Sequence, residues 1–264
     1  MTDLLDSYRV PGEQTDLAGM AARCGQLGSD PGALFGVVQG LVLHEYAFRR
    51  SGLAMAPDQL ADWDVSAGQV LEQALRLDPA PLTERRPPER RVAGQCFHSA
   101  VLYCALLRNR GLPARARCGF GSYLQPGAWV CHWVTERWDG GRWVTEDADT
   151  GLRDLDAGAF RSAGRAWLAC RRDGDDPGCY GIGQGWGWPE LRGSLLSDAA
   201  ALLKDERFTS DGWELAQPPE PDAAEDAWLD ELTLEDERIP QLREQIKANP
   251  AFTRDRVRTP PPAG

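Results

Sequence analysis

Cys96 follows Gly94-Gln95 and opens an apolar run at helical spacing that ends near Asn109-Arg110-Gly111. A cysteine at a helix start sits in partial positive charge among unpaired N–H groups, which favours its thiolate. The same N–H groups can hold an oxyanion formed when that thiolate attacks a carbonyl. His132 lies in an alternating stretch, 129–138, and Asp147 closes a second, 142–147, with Asp139-Gly140-Gly141 between them. If Asp139-Gly140 is a two-residue type I′ turn, Trp138 pairs with Gly141 and His132 stands opposite Asp147 on the same face. Cross-strand neighbours lie about 4.5–5.5 Å apart at Cβ, close enough for a carboxylate to hold an imidazole in one tautomer. A four-residue loop would put Asp149 opposite His132 instead, which makes Asp149 the reserve carboxylate. A nucleophile at a helix start, a base on a strand and a carboxylate on the next strand are the parts of cysteine acyl chemistry.

Other residues have two readings. Gln95, next to the nucleophile, is a candidate to assist an oxyanion. His44 is either a hydrogen-bonded histidine at the edge of the core or a substrate contact, and Trp133 either packs the sheet or walls a cleft. His98 is two residues past Cys96 and on a helix points roughly 200° away, so it cannot be the base for that thiol. Cys131 precedes His132 in a strand and faces the other way. The seven cysteines are odd in number, irregularly spaced and without a C-x-x-C pair, and there are three histidines. No metal and no cofactor are expected, and most of the thiols should be buried small hydrophobes. Asp173-Gly174-Asp175-Asp176 is too short for a calcium loop and lacks its closing Glu.

The elements that must carry these residues follow from local signals. Ser29-Asp30-Pro31 starts a helix whose apolar stripe, Leu34 to Phe48, runs to a stop at Gly52. A second helix is predicted over about 60–77, and the Pro-rich, charged segment 78–91 crosses the surface to the Cys96 helix. Residues 113–120, 129–138 and 142–147 read as strands, and 195–204 as a short helix. The order predicts an α+β fold, a helix-rich N-terminal part with the nucleophile helix packed on an antiparallel sheet. The expected organisation is an N-terminal arm over 1–28, one domain over 29–215, and an acidic helical or partly disordered extension over 216–264.

The chain has 264 residues, 42% of them hydrophobic and 26% charged, with a net charge of −11. That balance argues against nucleic acid and anionic membrane surfaces as partners. No apolar stretch approaches a membrane span, and the first ten residues lack the basic and apolar regions of an export signal, so a cytoplasmic protein is expected.

Taken together, Gly94-Gln95-Cys96, the helix ending ALLRNRGLPAR (105–115), His132-Trp133-Val134 and Trp143-Val144-x-x-Asp147 resemble the transglutaminase-like superfamily. The resemblance implies a papain-like core with a Cys-His-Asp triad, in which Cys96 matches the nucleophile, His132 the base and Asp147 the orienting carboxylate. Segments 37–48, 77–91 and 192–204 are similar to those of a largely uncharacterised bacterial branch. That branch tends to carry Gly-Asn-Cys-Arg where this chain has Gly94-Gln95-Cys96-Phe97, and an acidic residue where it has Cys131. The resemblance implies acyl transfer or hydrolysis at an amide or thioester carbonyl through an acyl-enzyme. The acyl substrate would be a small molecule, a peptide or a carrier-bound group. A catalytically idle binding module on the same fold is the alternative from another class.

Overall fold

The computed structural model describes residues 2–62, 65–206 and 223–233. The N-terminal half carries α1 (Thr2–Ser7), α2 (Ala21–Cys24), α3 (Pro31–Leu41), β1 (Val42–His44), α4 (Glu45–Arg50), α5 (Ala67–Leu77), β2 (Val92–Gly94) and α6 (Cys96–Asn109). Then come β3 (Ala114–Gly121), β4 (Trp129–Trp138), β5 (Trp143–Glu146), β6 (Phe160–Ser162), α7 (Ala163–Leu168), β7 (Tyr180–Ile182), β8 (Gly185–Trp186), α8 (Trp188–Leu202) and α9 (Ala223–Glu231). The fold is α+β.

Starts are set by capping. The Asp30 side chain accepts the Ala33 N–H at 2.7 Å with Pro31 in the first turn of α3, and Ser66 and Gln69 cap α5 reciprocally. α6 is buried from Cys96 through Arg108. It packs on β4 and β3 to one side and on α3 and α5 to the other, which is why its sequence is apolar nearly all round. Leu102, Cys104 and Leu107 in it are fully buried, and each leucine contributes about 1.5–3 kcal/mol by leaving water.

The main sheet runs β6-β3-β4-β7-β8, with β5 paired to β4. The pairs that carry the site, β3 with β4 and β4 with β5, are antiparallel as expected, while β4 and β7 pair in parallel. α8 lies against β3. Arg117 on β3 grips Asp198 on α8 through two 2.8 Å hydrogen bonds.

Three expectations change. The helix predicted from residue 31 through Phe48 is interrupted, because Val42–His44 extend to pair in parallel with Val92–Gly94. A periodicity argument cannot see a partner strand so far along the chain. The second helix begins at Ala67, and Leu60 instead bridges Ala93. α8 starts at Trp188, before the predicted 195. Leu17, Met20, Cys24 and Leu27 from the N-terminal stretch, and Leu229 and Leu232 at α9, belong to the same buried cluster as α6. Among the described residues no helix is long and apolar enough to cross a membrane.

Candidate active site

Cys96 is the first residue of α6, reached directly from β2 through Gln95. The start of the helix is held by His98. Its Nδ1 accepts the Gln95 N–H at 2.9 Å, and its other ring nitrogen meets the Asp62 carbonyl at 3.1 Å. Nε2 must therefore carry the proton, and burial holds this imidazole down to about 4, neutral and fully occupied. His98 is a brace for the helix start and faces away from the thiol's chemistry, in keeping with its predicted direction. Gly94 sits in a tight spot: a Cβ would lie 3.0 Å from Val42 Cγ1 and 3.2 Å from His98 Cβ, closer than nearly all such contacts. The close approach brings β1 alongside β2 and sets His44 level with Gly94.

His132, on β4, donates from Nε2 to Asp147 Oδ2 at 2.9 Å, which leaves Nδ1 for the Cys96 thiol on which its charge acts. The carboxylate arrives by a route other than the predicted one. β5 pairs with β4 so that Trp138 meets Trp143 and Thr135 meets Glu146, and the turn centres on Gly140-Gly141, where Asp139 N–H reaches the Arg142 carbonyl at 2.9 Å. The two-residue Asp139-Gly140 turn does not form, and this register continued would have set Asp149 against His132. The ladder ends at Glu146 first, however, and the chain folds back so that Asp147 bridges Leu152. Asp147 then faces His132 from the end of the strand.

Asp147 is 0% exposed and accepts five hydrogen bonds. Oδ2 takes the His132 ring, the Tyr123 hydroxyl at 2.8 Å and the Thr150 hydroxyl at 2.6 Å, and Oδ1 takes the Asp149 and Thr150 N–H groups at 3.0 and 3.1 Å. Burial pushes its carboxyl up, but the His132 charge and these donors outweigh that and hold it at about 2. Burial likewise raises the Cys96 thiol, and the charge and hydrogen bond of His132, then those of His44, bring it down to about 7. Burial disfavours the His132 imidazolium, yet the Cys96 and Asp147 charges keep its proton on well above the ordinary histidine range. Cys96 and His132 are each 5% exposed. Such an arrangement can hold a thiolate beside an imidazolium at neutral pH.

Tyr123 and Thr150 are the residues that the sequence reading missed. Thr150 is foreshadowed only by the Asp-x-x-Thr spacing of a side-chain-capped turn; Tyr123, on the loop after β3, carries no local signal. Of the other candidates, Gln95 is half-buried and its side chain makes no hydrogen bond to the described residues. His44 is half-buried, its Nδ1 accepts the Tyr46 N–H at 3.1 Å, and its ring lies within electrostatic reach of the Cys96 thiol. Asp149 makes no bond to His132; its Oδ1 is buried without a partner, and burial pushes its carboxyl up. Trp133 does not wall the site. It is buried edge-on against Phe97 with ring centroids 5.1 Å apart, so strand alternation gives it to the core. The Cys131 thiol sits by Ser194 Oγ at 3.4 Å. Among the described residues no cluster of His, Cys, Asp and Glu is arranged to hold a metal ion. Two cavities, about 370 Å³ beside Trp129 and Tyr180 and about 830 Å³ beside Arg115 and Trp143, lie apart from Cys96.

No curated protein matches the chain. A solved structure from Cytophaga hutchinsonii, named "Putative Cysteine Protease", is 18% identical with a TM-score of 0.36, and the match covers 59% of this chain and 49% of that one. A likeness of that size decides neither fold nor activity. The family model described as the transglutaminase-like superfamily matches residues 71–148, the stretch that contains Cys96, His132 and Asp147. With α6, β4 and the turn after β5 bringing those three side chains together, the matched stretch is similar to the core of the transglutaminase-like superfamily.

Proposed function

We propose that this protein is a cysteine-dependent acyltransferase or amide hydrolase acting on an amide or thioester carbonyl. The observation that carries the reading is the His132–Asp147 hydrogen bond at 2.9 Å, with the charge of that same histidine bringing the Cys96 thiol down to about 7 despite its burial. In this mechanism the Cys96 thiolate attacks the acyl carbon, a C–S bond forms, and the carbonyl π pair moves onto oxygen. In this reading the Cys96 N–H, at the start of α6, holds that oxyanion, with the Gln95 amide beside it. His132 gives its Nδ1 proton to the departing nitrogen or sulfur and is left neutral, steadied by Asp147. It then takes a proton from the water or amine that attacks the acyl-enzyme, and the thiolate leaves. Water gives hydrolysis and an amine gives transfer. A small molecule, a peptide or a carrier can each supply the acyl group, since the chemistry is common to all three.

The test is the pH dependence of Cys96 alkylation by iodoacetamide, followed by peptide mass spectrometry, in the parent and in His132→Ala. The parent should titrate with an apparent pKa near 7. Without His132, burial dominates, and the value should rise above the free-thiol value of about 8.5. If Cys96 titrates like a free thiol in both proteins, the nucleophile reading fails and a binding module takes its place.

A further inference from the structure

Cys96 has a second histidine on its other side. His44 closes β1, level with Gly94 and so two residues before the thiol. It is also the N-cap of α4: its Nδ1 accepts the Tyr46 N–H at 3.1 Å. A ring nitrogen that accepts a backbone N–H has its lone pair engaged and carries no proton, so the ring proton sits on Nε2. Of the two ring nitrogens, Nε2–H is then the one left to turn toward the Cys96 thiol, whose charge acts on the ring. His132 is wired the other way, with Nε2–H given to Asp147 and Nδ1 left for the thiol. One histidine can take and return a proton; the other can only donate.

We propose that His44 is a catalytic hydrogen-bond donor whose Nε2–H steadies the Cys96 thiolate before attack and then the oxyanion that forms beside it. The inference rests on the reading of Cys96 as nucleophile. No proton passes through His44: in the attack the carbonyl π pair moves to oxygen, and the leaving group's proton comes from His132. The parallel pairing of β1 with β2 places His44 level with Gly94, at the end of α6 that Cys96 opens. Asp149 lies within electrostatic reach of His44, yet takes no hydrogen bond on its buried Oδ1. A fixed donor in a site this closed needs no reorganisation as charge develops, which is where such groups have their largest effect.

Acylation by p-nitrophenyl acetate passes through an oxyanion, whereas alkylation by iodoacetamide displaces iodide at a saturated carbon and forms none. The two rates are to be compared, each on its high-pH plateau where the thiolate is complete, in the parent, His44→Asn and His44→Gln. Asn places an oxygen where Nδ1 was and can keep the cap on α4, but its amide stops short of the thiol; Gln reaches the position of Nε2. Acylation should fall about 100-fold or more in His44→Asn, the usual effect of losing one oxyanion donor. Alkylation should fall far less, and folded His44→Gln should recover much of the acylation. Equal falls in both reactions, no fall in acylation, or a folded His44→Gln as slow as His44→Asn would each overturn the proposal. A parent protein that p-nitrophenyl acetate does not acylate at Cys96 overturns the nucleophile reading itself, and the proposal with it.

Discussion

Asp147 is held at the end of β5 by what it accepts. A carboxylate buried with five donors is stabilised in its ionised form, and each bond to a charged acceptor is stronger than one between neutral groups. Its folded value of about 2 lies below the unfolded value of about 3.9, so the stabilisation, about 2–3 kcal/mol, is complete above pH ~4 and lost as pH falls through about 2. Tyr123→Phe removes one of these donors and should cost about 2 kcal/mol at pH 7. In urea titrations the gap between parent and variant should narrow as pH drops from 5 toward 2. A gap that stays constant over that range would mean that Tyr123 supports packing and not the charge on Asp147.

At the scale of elements, the start of α6 depends on a histidine that must stay neutral. His98 has a folded value of about 4 against an unfolded value of about 6.5. The sign follows: its contribution is complete above pH ~6.5 and is lost as pH falls through about 4, a total of about 3 kcal/mol. His98→Asn can keep an acceptor for the Gln95 N–H but cannot titrate. The parent's urea midpoint should therefore decline between pH 6.5 and 4 more steeply than the variant's, and equal slopes would show that the helix start does not depend on this proton. The neighbouring element, β1, was hidden from the sequence. Its residues lie inside the stretch whose spacing reads as helical, and they extend because Val92–Gly94 offers hydrogen bonds and Gly94 leaves room for Val42.

Across the whole molecule, α8 is locked to the sheet through charges buried on β3. Asp198 takes both ends of the Arg117 guanidinium and the Cys118 N–H at 3.0 Å, while Glu136 joins Arg117 at 3.0 Å to Arg115 at 2.6 Å. Removing one member strands a buried cation, which typically costs about 3–5 kcal/mol. Glu136 still faces Arg117, so Asp198→Asn should lie at the low end, about 3 kcal/mol, seen as a lower urea midpoint at unchanged slope. A shift under about 1 kcal/mol would mean that apolar packing alone seats α8. The lock touches none of Cys96, His132 and Asp147, so Cys96 alkylation per folded molecule should be the same in both proteins.

What the amino-acid sequence determined by itself is local. α6 opens at Cys96 and ends at Asn109, and β4 spans Trp129–Trp138, as their periodicity and flanking turn residues predict. The types of the candidate nucleophile, base and carboxylate are legible for the same reason. The tertiary structure decided which carboxylate meets His132. The hairpin register favoured Asp149, and Asp147 prevails because β5 stops at Glu146 and a turn capped by Asp147 itself supersedes the ladder. It also decided that His44 meets the thiol while Trp133 does not, and that Tyr123 reaches Asp147. Helical and strand periods report on neighbours a few residues apart, within one element. Strand partners, ladder ends and side chains arriving from distant loops are set by contacts between segments far apart in the chain, and no local pattern records those.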